Sequence, residues 1–284
     1  MGTAVFFSKS GETLMGPLAD RNEKFVVPLE DGLAVEAVFY GNGSLCVSSQ
    51  AGCAVGCPFC ASGTRGLIRN LRSGEMVRQL EESCRKGFYP LRVTVSGIGE
   101  PLHNPAAVKE FLAYCRRQGL PVSLTTTGGP LPVLEEFLTL PHNGLMVSLH
   151  AGTAATHRRL VPRGPDFRGL LQTLTRSMAT VSRRRRRKLG LNYLLLEGIN
   201  ILPDELSCLA ELSRSIPGVT VHLLACNPVP GSSYCSPDES TFQVVHGLLR
   251  RQGVEARRAS RSRRQAEGGC GTLFWKSSIS PSGR

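Results

Sequence analysis

Three closely spaced cysteines carry the strongest chemical signal in this 284-residue chain. They lie in Cys53-Ala-Val-Gly-Cys57-Pro-Phe-Cys60, at spacings of four and three, among mostly small residues. A [4Fe–4S] cluster normally takes four thiolates. Three close thiols with no equally close fourth leave one iron without a protein ligand. An open iron can bind a substrate or cofactor instead of only passing electrons. A zinc knuckle, or three buried thiols, is the bland alternative. Zinc sites favour paired C-x2-C units or a Cys/His mixture, and no His is near this triplet in the sequence.

Such a loop needs a scaffold, and the remaining sequence reads as one. Short runs rich in aliphatic or β-branched residues, bounded by Gly, Pro or Asn, predict strands at 44–49, 92–97, 122–127, 145–150, 191–196 and 219–226. Apolar residues at helical spacing predict helices at 74–86 and 105–118. Further helices fit 131–138, 167–181, 203–213 and 240–252. Six strands, each followed by a helix, imply an α/β fold with a parallel sheet and right-handed crossovers. Closed or partly closed, this is a partial (β/α)6 barrel; a doubly wound open sheet is the alternative. Either way a ligand site belongs at the C-terminal ends of the strands. The cysteine loop follows the first predicted strand and falls on that face. The expected organisation is a short extension over 1–35 and a catalytic core over 36–284.

Composition narrows the partners. Hydrophobic content of 41% is ordinary for a globular protein. No apolar run has the length of a membrane span, and the N-terminus lacks the pattern of a signal peptide. Ten cysteines without a secretion signal predict metal and thiol chemistry in the reducing cytoplasm. A net charge of +12 points to a polyanion, most often a nucleic acid. Two basic runs stand out, Ser182–Lys188 and Arg257–Arg264. Both fit phosphate contacts. The first starts at a helix end away from the predicted site, where a solvated loop explains it equally well. The second leads towards Cys270.

The motifs, taken in order, are similar to one family. They are 45–53 (LCVSSQAGC) with the cysteine loop, Arg69-Asn70-Leu71, 97–102 (GIGEPL), 148–151 (SLHA), 227–231 (NPVPG) and Cys270-Gly271. Order and separation resemble the RlmN/Cfr family of radical S-adenosylmethionine (SAM) RNA adenine methyltransferases, from about Asp31 onward. The resemblance implies that Cys53, Cys57 and Cys60 hold the [4Fe–4S] cluster and SAM chelates the open iron. One SAM methylates a cysteine, and a second is cleaved to a 5′-deoxyadenosyl radical. That radical takes a hydrogen from the methylated thiol, whose carbon then adds to adenine. A second cysteine resolves the resulting adduct as a disulfide.

On that resemblance Cys270 carries the methyl group, Cys46 resolves the adduct, and Glu36 accepts the adenine proton. Gly99 gives backbone access to SAM, and Glu100 contacts its polar end. Thr125 keeps the hydroxyl of a family serine. Ser148, Leu149 and His150 end a strand beside the cofactor, and Asn227 offers an amide. The remaining cysteines read as core or incidental thiols. The match departs in two places. Only about three dozen residues precede Glu36, where the family carries an accessory domain that helps to hold RNA. RNA recognition is then expected from the barrel face, the basic runs or a partner. The approach to Cys270 also differs, and Thr272 stands where glutamine is usual.

Resemblance and composition together imply a cytoplasmic, monomeric enzyme that methylates carbon 2 of an adenine in 23S ribosomal RNA, with tRNA as a further substrate. It would be reduced by a donor such as flavodoxin or ferredoxin. The first rival is the same chemistry at carbon 8. The others are a radical SAM enzyme with a non-RNA substrate and an RNA-binding protein with a structural cluster.

Overall fold

Aliphatic runs become strands wherever both faces can be covered. In the computed structural model, which describes residues 22–259, 272–274 and 276–277, the chain opens with β1 (Glu23–Pro28), β2 (Leu33–Tyr40), β3 (Ser44–Val47), β4 (Gln50–Gly52) and β5 (Leu67–Asn70). Strands and helices then alternate: α1 (Ser73–Arg85), β6 (Arg92–Val95), α2 (Pro105–Arg117), β7 (Val122–Thr126), α3 (Leu131–Thr139) and β8 (Gly144–Ser148). Next come α4 (Ala154–Leu160), α5 (Phe167–Thr180), α6 (Arg183–Arg186), β9 (Leu189–Leu195) and α7 (Pro203–Ser215). The described chain ends with β10 (Thr220–Ala225), α8 (Glu239–Arg251), β11 (Ala256–Arg258) and β12 (Lys276–Ser277).

The main sheet runs β1-β2-β3-β6-β7-β8-β9-β10-β11, with β12 beside β2. From β3 to β11 every pair is parallel. Along this path chain order equals spatial order, so every crossover steps the same way. A doubly wound sheet must reverse its strand order at a switch point, and this one does not. The fold is therefore the mixed α/β partial barrel. β1 and β2 add an antiparallel hairpin to it, so the sheet begins at Glu23.

Strand interiors supply the core. Val93, Val95, Leu124, Leu145, Val147, Leu191 and Leu195 are all at most 1% exposed. Each buried side chain of this size is worth about 1.5–3 kcal/mol relative to exposure. Side-chain oxygens of Thr153, Asp166, Ser182 and Asp238 cap α4, α5, α6 and α8, each contributing about 1 kcal/mol. Among the described residues no helix is long and apolar enough to cross a membrane.

Arg69 locks the β4–β5 hairpin to α1 by a two-pronged pair with buried Glu75, at 2.9 and 2.8 Å, and also holds Asp31 at 2.6 Å. The basic run 182–188 is not a plain solvated loop. Part of it forms α6, and Arg186 Nε donates to the Val181 carbonyl at 3.1 Å. Residues 260–264 of the second run lie outside the described residues; within it, Arg258 pairs with Glu239 at 2.6 Å and covers the Phe242 ring.

Candidate active site

The cysteine loop leaves the main sheet after β3 and is pinned on several sides. Cys53 N–H donates to the Gly66 carbonyl at 3.0 Å, closing the β4–β5 hairpin. Gly52, at φ +86°, passes so close that a Cβ would sit 2.0 Å from the Gly66 oxygen. Arg163 holds the Ala54 carbonyl at 2.9 Å, and Ser232 holds that of Pro58 at 3.2 Å. Val55 is buried with Leu160, Val161, Leu194, Leu196 and Cys226 in a small apolar cluster of its own, on which Cys53 and Cys57 rest.

Cys53, Cys57 and Cys60 line one pocket with Gly99, Glu100, Thr125, Ser148, His150 and Asn227. β7, β8, β9 and β10 meet there at their C-terminal ends. The residues expected to bind cofactor thus come from different loops to one wall, with a single exception. Leu149 does not line the pocket: its side chain is fully buried in the main core. The chain leaves β8 at Ser148, and Leu149 turns into the core while Ser148 and His150 on either side of it line the pocket.

The pocket wall is held rigidly by hydrogen bonds. Glu100, 2% exposed, accepts from Leu102 N–H at 3.0 Å, from Thr127 N–H at 2.7 Å and from the Thr127 hydroxyl at 2.8 Å. The Thr126 hydroxyl also donates to it. Burial pushes the Glu100 carboxyl up, and these hydrogen bonds oppose the shift. Its N–H donates to Gln50 Oε1 at 2.7 Å, and Gln50 Nε2 donates to Asn70 at 2.7 Å. Gly99, at φ +108°, lies against Gln50, so a Cβ would be 2.6 Å from Gln50 Cβ. This protein contact, by itself, already requires glycine.

His150 has a left-handed backbone, φ 58°, and its ring meets Phe59 edge-on at 5.3 Å. Its Nδ1 accepts from Leu194 N–H at 3.0 Å, which puts the ring proton on Nε2. Burial, with a smaller contribution from His157, lowers its pKa to about 3, so the ring is neutral. Asn200 fixes the turn by donating to the His150 and Leu194 carbonyls at 2.8 and 2.6 Å.

Burial pushes the Cys53 thiol up to about 12 and the Cys57 thiol well above its ordinary value; charge on neighbouring cysteines adds to both. Thiols this dry ionise only against the charge of a metal, as thiolate ligation requires. Cys53, Cys57 and Cys60 open on one pocket, as thiolate ligands of a single [4Fe–4S] cluster must. The donor set fits the cluster.

Two further residues from the sequence reading lie beside the pocket. Cys46 is buried on β3, its Sγ 3.2 Å from the hydroxyl of Ser96, a pocket residue. Glu36 is buried on β2, although its sequence alone suggests a surface strand position. It shares a sheet face with Val38, which pairs with Cys46. Cys270 lies outside the described residues, but the residues just after it do not. Phe274 N–H donates to Glu36 Oε2 at 2.9 Å, and Ser62 donates to the Leu273 carbonyl at 3.0 Å. None of the nine described cysteines forms a disulfide, and Cys270, the partner that the resemblance gives Cys46, lies outside the described residues.

Sequence reasoning misses the roles of Gln50, Ser62, Ser96, Thr126 and Thr127. Their shared signal is a polar residue at or just past the end of a predicted strand, or flanking the cysteine loop.

Comparison with known proteins agrees with this geometry. The Radical SAM superfamily model matches residues 47–201. Fold and thiol loop define the class: a radical SAM catalytic domain. Among curated relatives, the chain is 35% identical over 268 residues to a probable dual-specificity RNA methyltransferase RlmN of Desulforudis audaxviator, covering 86% of this chain and 82% of that one. It is 28% identical over 272 residues to the dual-specificity RNA methyltransferase RlmN of Caulobacter vibrioides, covering 89% and 67%. A crystal structure of a radical SAM methyltransferase from Sphaerobacter thermophilus superposes with a TM-score of 0.77 at 29% identity, over 89% of this chain and 77% of that one. The chain belongs to the RlmN-type RNA methyltransferase family of the radical SAM superfamily.

Proposed function

We propose that this enzyme methylates carbon 2 of an adenine in 23S ribosomal RNA, and in tRNA as a further substrate, through a methylated Cys270. The observation that carries the reading is the seating of the tail. Leu273 and Phe274 are bonded to Ser62 and Glu36, so the segment following Cys270-Gly271 starts from the pocket's edge. The stretch from Cys270 to Phe274 spans at most about 14 Å of chain. In this reading that tether brings Cys270 to the cofactor pocket and to Cys46.

Cys53, Cys57 and Cys60 hold the [4Fe–4S] cluster. When bound, cluster and SAM supply one-electron chemistry able to activate a C–H bond that polar transfer leaves untouched. The chain's own residues orient and protect that chemistry. Gly99, Thr125, Ser148, His150 and Asn227 offer SAM backbone, hydroxyl, imidazole and amide groups; Glu100, expected from the resemblance to meet SAM's polar end, has both carboxylate oxygens engaged by Leu102, Thr126 and Thr127 and in this reading stiffens the loop that carries Gly99. Glu36 would take the adenine proton, and the Cys46 thiolate would attack the Cys270 sulfur, breaking its bond to the methylene carbon, which takes up a proton to become the new methyl group and leaves a Cys46–Cys270 disulfide. The base reaches the pocket only when unpaired or flipped. The enzyme works as a cytoplasmic monomer, reduced by a flavodoxin- or ferredoxin-type donor.

The test is anaerobic turnover with SAM, reductant and unmodified ribosomal RNA, read by mass spectrometry of the digested nucleosides. The expected product is 2-methyladenosine. A peak of 8-methyladenosine would overturn the position, and 5′-deoxyadenosine without any methyladenosine would overturn the substrate.

A further inference from the structure

The barrel has a second concave site, at the other end of its strands. Where the chain enters β7, β8 and β9, a cavity of about 490 Å3 opens to solvent. Arg116, Arg184, Arg185 and Lys188 line it, and no lining residue is acidic. Two of these cations are fixed by the fold. Arg185 Nε donates to the Leu138 carbonyl at 2.9 Å and its Nη2 to that of Leu140. Lys188 Nζ donates to the His142 carbonyl at 3.2 Å. Arg116 and Arg184 have no ion pair or side-chain hydrogen bond with any described residue.

An independent observation points to a ligand. His142 lines the same cavity, is 6% exposed, and neither ring nitrogen has a hydrogen-bond partner. The Phe137 carbonyl is near enough to favour the charged ring slightly, but it does not meet hydrogen-bond geometry. Buried polar atoms are normally satisfied, so two orphans on one ring call for an explanation. The cavity's cations cannot provide one for the ring N–H, because Arg and Lys carry donors only. The other polar side chains there are already engaged: Ser182 caps α6, and Asn143 Oδ1 accepts from Val122 N–H at 3.2 Å. What the cavity lacks is an acceptor carrying negative charge.

We propose that this cavity is a phosphate-binding site, with Arg116, Arg184, Arg185 and Lys188 neutralising the group and His142 donating a hydrogen bond to it. Phosphate fits better than a carboxylate. It presents several acceptor oxygens to donors on different sides, and guanidinium forks match its geometry. A phosphodiester of an RNA backbone and a free phosphate compound present the same oxygens. The site shares no lining residue with the thiol pocket, and on β7 the two are separated by the rise from Val122 to Thr125, about 10 Å. It does not depend on the reaction proposed above.

The experiment uses the full chain and reads binding, not turnover. Inorganic phosphate is titrated by calorimetry, and a single-stranded RNA by fluorescence anisotropy over a range of salt. The variant Arg116→Gln/Arg184→Gln removes the two cations that the described fold does not use; a thermal melt checks that it folds. His142 ring resonances report the site directly. Phosphate should bind the wild type, move those resonances, and bind the variant at least tenfold more weakly. If RNA binding is unchanged in the variant, the ligand is a small phosphate compound. A weaker RNA complex, with a salt slope shallower by about 1.4, assigns the site to the RNA backbone. A folded variant that binds both ligands like the wild type, with His142 resonances unmoved by either, overturns the proposal.

Discussion

The two ends of the same strands are built by opposite rules. At the C-terminal ends, the polar groups that wall the thiol pocket satisfy one another: Glu100 is saturated by threonines and backbone, and Asn200 by three backbone groups, and the unpartnered His157 Nε2 sits behind that wall on α4. What remains reactive there is sulfur. At the N-terminal ends, cations face a cavity with no counter-charge, and the His142 ring goes unpartnered. A rigid satisfied wall suits a reaction, in which groups must not move as charge and radical character shift. An unsatisfied basic cavity suits binding, where the ligand itself completes the hydrogen bonds.

The sharpest break of this contrast removes one thiol. Cys57→Ala should abolish the cluster's brown absorbance and all 5′-deoxyadenosine formation while phosphate binding at the other end persists. Retained SAM cleavage would refute the ligand assignment. Next, Cys270→Ala should keep the cluster and lose methyl transfer to background. Cys46→Ala should instead trap a covalent protein–RNA adduct, visible as a shifted band on a denaturing gel. Free RNA after turnover would count against the resolving role. Smaller again is Gly99→Ala, which forces a Cβ onto Gln50 at a positive φ. The strain and overpacking should cost about 3 kcal/mol, read as a lower urea midpoint. An unchanged midpoint would show that the loop yields without penalty.

The same contrast separates what is legible in the sequence from what is not. The six strands expected from sequence start within about two residues of their observed positions, because Val- and Leu-rich runs bounded by turn residues have few alternatives. The thiol pocket is legible because its cysteines are close in sequence and the strand-end rule locates their neighbours. β1 escapes because a short edge strand such as Glu23–Pro28 buries only two residues. The β4–β5 hairpin escapes because the cysteine loop intervenes and no turn dipeptide announces it. α4 escapes because it shows only two buried positions in seven residues. At the thiol pocket Thr126, Thr127 and Gln50 act on Glu100, not on a ligand, and no local pattern marks such service. At the basic cavity the arginine run is visible, but His142 comes from a different loop, the one joining α3 to β8. Only the fold brings them together.

The smallest effect per residue concerns the buried histidines at the two ends. Burial lowers His142 to about 4, helped by the Arg185 and Lys188 charges. At the other end burial lowers His157 to about 4, with Asp166 opposing, and His150 to about 3. All three therefore have folded values below the unfolded one of about 6.5. Such a group contributes stability above pH 6.5 and loses it as pH falls towards the folded value. Between pH 7.5 and 5.5 the unfolded chain gains protons that the folded chain refuses, costing about 1.4 kcal/mol per histidine. Urea midpoints at the two pH values should differ accordingly, and His142→Asn should remove about a third of the joint effect. Saturating phosphate separates the two ends. An anion beside His142 favours the imidazolium, so its share of the acid loss should vanish while those of His150 and His157 remain. Equal acid sensitivity with and without phosphate would mean that nothing anionic binds near His142, and the contrast between the two ends would lose its ligand.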